Sequence, residues 1–134
     1  RYQHRDCLWG AIAALDGLAV LPTDMRSAQS ERVVKRLADA LLDTGYDFGG
    51  EHKRWLTFGV PRAWDLLSAL KALAAHGYVQ DSRCVPLLEL VLNRQDGQGR
   101  WLCGSVSRTW PIEKRDQPSK WVTLDALRVL KQAG

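Results

Sequence analysis

The residues able to do chemistry in this chain are few and scattered. Three cysteines, Cys7, Cys84 and Cys103, and three histidines, His4, His52 and His76, are its soft metal ligands. His4-x2-Cys7 with Cys84 or Cys103 could supply zinc ligands, but no C-x2-C pair is present, and a buried thiol beside a terminal histidine is the simpler account. Cys7 could serve as a nucleophile with His52 or His76 as base only if the fold brings them together. No metal and no cofactor is therefore expected. Asp16 is the one candidate catalytic acid. It interrupts the apolar run from Cys7 to Pro22, and facing inward it would gain a raised pKa by desolvation, as a general acid needs. Facing water, it is an ordinary carboxylate beside Gly17. Asp65 and Asp81 fall near the starts of helical stretches, where the helix dipole favours a carboxylate, and Asp81-x-Arg83 suits a structural pair at a turn.

The elements that would position these groups are easier to read. Trp-x4-Ala-Leu-x2-Leu occurs three times, at Trp9, Trp64 and Trp121. Arg54-Trp55-Leu56-x5-Arg62-x-Trp64 recurs as Arg100-Trp101-Leu102-x5-Arg108-x-Trp110. Repeats of this period mean one supersecondary unit used several times, each burying its apolar face against its neighbours. Pro111 to Trp121 reads as an insertion before the third copy. The repeated Trp9, Trp64 and Trp121 could be packing, or could line a cavity whose indole faces stabilise a cation.

Apolar spacing of three and four predicts five helices. The first starts at Leu8, ends at Pro22, and is apolar on nearly every side, which marks it as buried. The second, Glu31 to Asp43 after Ser30, is amphipathic and peripheral. The third opens at Pro61 and stops at Gly77; the fourth runs from Pro86 to about Arg94; the fifth covers Val122 to Gln132. No segment alternates long enough for a half-buried strand, so the expectation is an all-α chain of antiparallel hairpins with essentially no sheet.

At 134 residues the chain is read as a single domain, 1–134. Its 46% hydrophobic and 25% charged composition excludes disordered and fibrous classes. A net charge of +4 without any dense basic run gives no reason to expect nucleic acid. Unpaired cysteines point to a reducing, cytoplasmic setting. No apolar stretch is long enough to span a membrane. The abrupt, Met-less start suggests a piece of a longer protein.

One motif goes further. Gln95-x3-Gly99-x-Trp101 closes the fourth helix, with Trp55 ending a degenerate copy. A Gln amide there can bond free peptide groups at helix ends, a Trp ring can cover the gap between hairpins, and glycines let the chain reverse. Within Trp-rich helical repeats this pattern resembles the QW repeat of squalene and oxidosqualene cyclases, which share the α/α toroid with protein prenyltransferase β subunits. The resemblance implies a partial α/α toroid, inner helices ringed by outer ones, and an isoprenoid or other apolar ligand. It does not carry over the family's catalytic groups: the D-x-D-D acid segment and the Asp-x-Cys zinc pair are both missing. Two kinds of function follow, a terpenoid-cyclase-like or prenyltransferase-like protein, or a non-catalytic scaffold binding an apolar ligand or a protein. Five helices cannot close a ring, so self-association or contact with the rest of a parent chain is also expected. Trp55 and Trp101 should occupy equivalent places at hairpin ends.

Overall fold

A computed structural model describes residues 7–43, 55–60, 65–109 and 112–134. Within them the chain is mostly helical. Helix α1 spans Leu8–Ala19, with Cys7 at its N-cap, where the Sγ accepts from the Gly10 N–H at 3.4 Å. Only Ala11, Ile12 and Leu15 are buried. The expectation of burial on nearly every side is corrected: Gly10, Ala13, Ala14 and Gly17 are apolar but too small to require cover, and they are exposed. After a 3₁₀ turn at Thr23–Met25, Arg26 folds back onto the α1 terminus, donating to the Leu21 and Ala19 carbonyls.

Helix α2, Ala28–Asp43, starts before Ser30 because Ser27 and Ser30 cap each other's peptide N–H groups, at 3.1 and 2.9 Å. Its Val34, Ala38, Leu41 and Leu42 are buried, and α2 packs on α1. Helix α3, Leu66–Ala75, begins at the Asp65 N-cap, and six of its ten residues are buried. Pro61 and its neighbours lie outside the described residues. At the other end Gly77 takes φ +79, the left-handed conformation that closes many helices. His76 Nε2 lies 2.8 Å from the Leu15 carbonyl, tying the end of α3 to α1.

Two 3₁₀ turns, Tyr78–Gln80 and Ser82–Cys84, lead into α4, Val85–Leu92. Arg83 joins this corner to α2 by reaching Asp81, Asp39 and Asp43 at 2.8, 2.9 and 2.6 Å. The Arg83 guanidinium holds the Asp81 carboxyl down at about 2. Helix α5 spans Lys120–Ala133 from a Ser119 cap whose Oγ accepts the Val122 N–H. Helix α3 contacts α1, α4 and α5. The odd helices thus follow one another as neighbours, while α2 packs on α1 and α4 on α3.

The expectation of no sheet is corrected. Among the described residues, four two-residue strands form two ladders. Strand β1, Gly59–Val60, runs parallel to β3, Ser105–Val106, and β2, Leu102–Cys103, runs antiparallel to β4, Gln117–Pro118. Alternation over two residues leaves no period to read. Between β2 and β3 a Cβ on Gly104 would come within 2.8 Å of Thr57 Cγ2, so only glycine lets these segments meet without displacement.

The three Trp-x4-Ala-Leu copies present different faces. Leu15 is buried and Ala14 exposed in α1; Ala69 and Leu70 are both buried in α3; Ala126 is buried and Leu127 exposed in α5. The inward stripe has turned by about one residue between the first and third copies. The central helix needs both faces, having neighbours on more than one side.

Candidate functional site

Several polar and aromatic side chains converge on one cavity where the start of α3 meets the start of α5. Asp65, Ser68 and Lys71 recur every three residues and share a face of α3. Trp121, Val122 and Asp125 occupy the first turns of α5. Lys71 Nζ reaches Asp125 Oδ2 across the gap at 2.6 Å. With Gly59 of β1, Leu67 and Ile112, these residues line a cavity of about 260 Å³. The ion pair is partly exposed, so it sets spacing more than stability, contributing on the order of 0.2–1 kcal/mol.

Asp65 is the unusual group. It is only 2% exposed, one of two buried polar side chains among the described residues, the other being the Ser119 cap. Its Oδ1 accepts the Ser68 N–H at 2.8 Å, capping α3, and its Oδ2 accepts the Gly59 N–H at 3.1 Å, fastening β1 to the helix. Burial pushes its carboxyl up to about 6, against the opposing pull of those hydrogen bonds and of Lys71. A carboxyl of that kind is mixed between acid and carboxylate near neutral pH, able to give or take a proton or to hold a ligand's hydroxyl. The Trp121 ring supplies an apolar wall, with Lys120 Nζ at 5.6 Å from its centroid.

Of the residues singled out in the sequence, Asp65 and Trp121 line this cavity, and the others among the described residues fall elsewhere. Asp16 is on the exposed face of α1 and does not line this cavity, so the inward placement that would have made it a buried acid does not occur. Trp9 is 37% exposed and also absent from the lining, and Trp64 lies outside the described residues. Trp55 and Trp101 are both buried. The overlay of their two hairpins involves residues beyond the described ones. Trp101 Nε1 donates to the Val91 carbonyl at 2.7 Å, so the indole closes the end of α4. Gly99 turns the chain at φ +78. Gln95 is exposed; its peptide N–H donates to the Leu92 carbonyl at 2.9 Å, but among the described residues its side-chain amide bonds no helix end, and Asp96 does that work instead, accepting from the peptide N–H groups of Gln98 and Arg100.

Among the described residues no group of three His, Cys, Asp or Glu could hold a metal ion. Cys7 is exposed, while Cys84 and Cys103 are buried thiols that donate to the Tyr78 and Ser105 carbonyls. Burial pushes the Cys84 thiol up to about 11, which leaves it unreactive. No helix among the described residues is long and apolar enough to cross a membrane.

The local signal for Asp65 was legible: Asp65-x2-Ser68 before a leucine-rich run is an N-cap pattern. Its depth was not: β1 lies just before it in the chain, but the rest of the cover comes from α5, distant in sequence. Comparison of the chain with protein-family models, with curated proteins and with solved structures returned no match.

Proposed function

We propose that this chain is an α/α-repeat segment of the terpenoid-cyclase and prenyltransferase type that binds an apolar, isoprenoid-like ligand, with the Asp65 cavity receiving the ligand's polar end. The observation that carries this reading is a buried carboxyl and an indole wall in one cavity at the start of two neighbouring helices. The succession α1, α3, α5, with α2 and α4 packed behind, supports the toroid-like part. The D-x-D-D and Asp-x-Cys groups are lacking, so binding is the role assigned to this segment. The raised Asp65 carboxyl favours, as a second step for that site, proton donation to a bound ligand. Calorimetric titration with farnesol is the test. Trp121→Ala is expected to weaken binding about tenfold by removing the wall, and unchanged affinity in that variant would remove this cavity from the reading.

A specific observation also favours a protein contact. Trp121, Leu124 and Leu127 form an exposed stripe along α5, at 47, 39 and 48% exposure. Apolar residues at this spacing are what a following helical repeat covers. The isolated chain is expected to self-associate at micromolar concentration in sedimentation, and a Leu124→Lys, Leu127→Lys variant to sediment as a monomer. A wild-type chain that is monomeric throughout that range would count against a role for the stripe.

A further inference from the structure

A second cavity, of about 400 Å³, opens on another part of the surface, between the end of α4 and the paired strands. Leu56, Phe58 and Leu102 give it apolar walls, and Trp101 lies at its side. Arg94 and Arg115 both line it. Each guanidinium is fixed by a single backbone carbonyl: Arg94 Nη1 donates to Leu56 O at 3.2 Å, and Arg115 Nε donates to Gly104 O at 3.0 Å. Neither has a carboxylate partner among the described residues, unlike Arg83 and Arg100, which sit within 3.0 Å of aspartates. Asp116 also lines the cavity, held at φ +57 in the turn before β4.

We infer that this cavity binds an organic monocarboxylate with an apolar tail. Arginine presents five N–H donors in a planar fork, of which each of these uses one on a carbonyl, so the rest can meet a carboxylate side by side. The carbonyl contacts hold the two forks in place before a ligand arrives, which lowers the ordering cost of binding. Two guanidiniums and the Asp116 carboxylate leave the lining with a net charge of +1. That charge balances a monoanion in full and leaves one charge of a doubly charged phosphate uncompensated beside the Asp116 carboxylate. Leu56 and Leu102 add apolar surface that a ligand's tail can cover and a bare inorganic anion cannot, so the preferred occupant carries a tail.

The site is separate from the Asp65 cavity, with no lining residue in common. The inference therefore stands apart from the proposed function and is tested separately. Decanoate, decanol, acetate and decyl phosphate are titrated calorimetrically into the chain near neutral pH, with the Arg94→Gln, Arg115→Gln double variant and with Trp121→Ala. Decanoate is expected to bind saturably, and the other three about tenfold or more weakly. The double variant should lose about tenfold in decanoate affinity while keeping the wild-type far-UV spectrum and thermal midpoint, since both side chains are exposed. Trp121→Ala should leave decanoate affinity unchanged. Equal binding of decanol, undiminished affinity in the double variant, or no saturable decanoate binding would each overturn the inference. Tighter binding of decyl phosphate would overturn the carboxylate assignment, and a loss confined to Trp121→Ala would place the ligand in the Asp65 cavity instead.

Discussion

Trp101→Ala is expected to destabilise the chain by about 3–5 kcal/mol, much of the total for a domain this size. The ring is fully buried, and its residue is anchored three ways. The indole N–H closes the end of α4 on Val91; the Trp101 peptide N–H donates to Thr123 Oγ1 at 3.0 Å; and its carbonyl accepts from the Ser119 N–H at 2.9 Å. Truncation leaves a cavity at the joint between α4 and α5 and removes the indole donor from the Val91 carbonyl, which keeps a backbone partner, the Arg94 N–H at 3.1 Å. Trp101→Phe separates the two effects: it keeps most of the ring but removes the donor, for an expected loss of about 1–3 kcal/mol. Denaturant titration monitored by far-UV circular dichroism provides both numbers. If Trp101→Phe matched the wild type, the indole bond to Val91 would contribute nothing, and the capping role would fall with it.

The second large effect is a pH dependence traced to Asp65. Its carboxyl sits near 6 in the fold against a reference of 3.8, so the folded chain holds this proton more tightly than the unfolded chain does. Stability from this group is then fully present below about pH 4 and falls as pH rises toward 6. The loss amounts to roughly 3 kcal/mol, at 1.36 kcal/mol for each pH unit of separation. Asp81, held at about 2, changes charge below that window. Asp65→Asn cannot ionise, so the stability difference between wild type and variant should move by roughly 3 kcal/mol against the wild type between about pH 4 and 7. Urea midpoints measured across that range decide it. Parallel curves for the two proteins would mean that Asp65 is not desolvated as the fold implies.

Much of the helical framework was legible because it depends on local rules. Ile12 and Leu15, Val34 and Leu41, and Leu66 and Leu70 each repeat at helical spacing, and those faces are the buried ones. What escaped the sequence depends on segments far apart. The small strands are too short to carry a pattern and exist because Gly104 lets residues 102–106 approach 57–60. Alanine and glycine make α1 apolar on most sides without demanding burial, because they remove little surface from water wherever they point. Asp16 and Asp65 are a matched lesson. Asp16 lies in the more apolar stretch yet faces outward, while Asp65 opens a helix and is enclosed only once β1 and α5 arrive. Local hydrophobicity described the neighbours along the chain, and enclosure came from neighbours in space.

Helix α3 is shared by α1, made before it, and by α5, made well after it. During synthesis α1, α2 and α3 can stack as soon as they leave the ribosome, but the surface of α3 that receives α5 must wait. At roughly 5–20 residues per second, that wait lasts several seconds. For that interval the most buried of these helices is only partly sheltered, and nascent chains or chaperones can reach it. The hazard belongs to translation alone: in refolding from denaturant, α5 is present from the first moment and competes for its place at once.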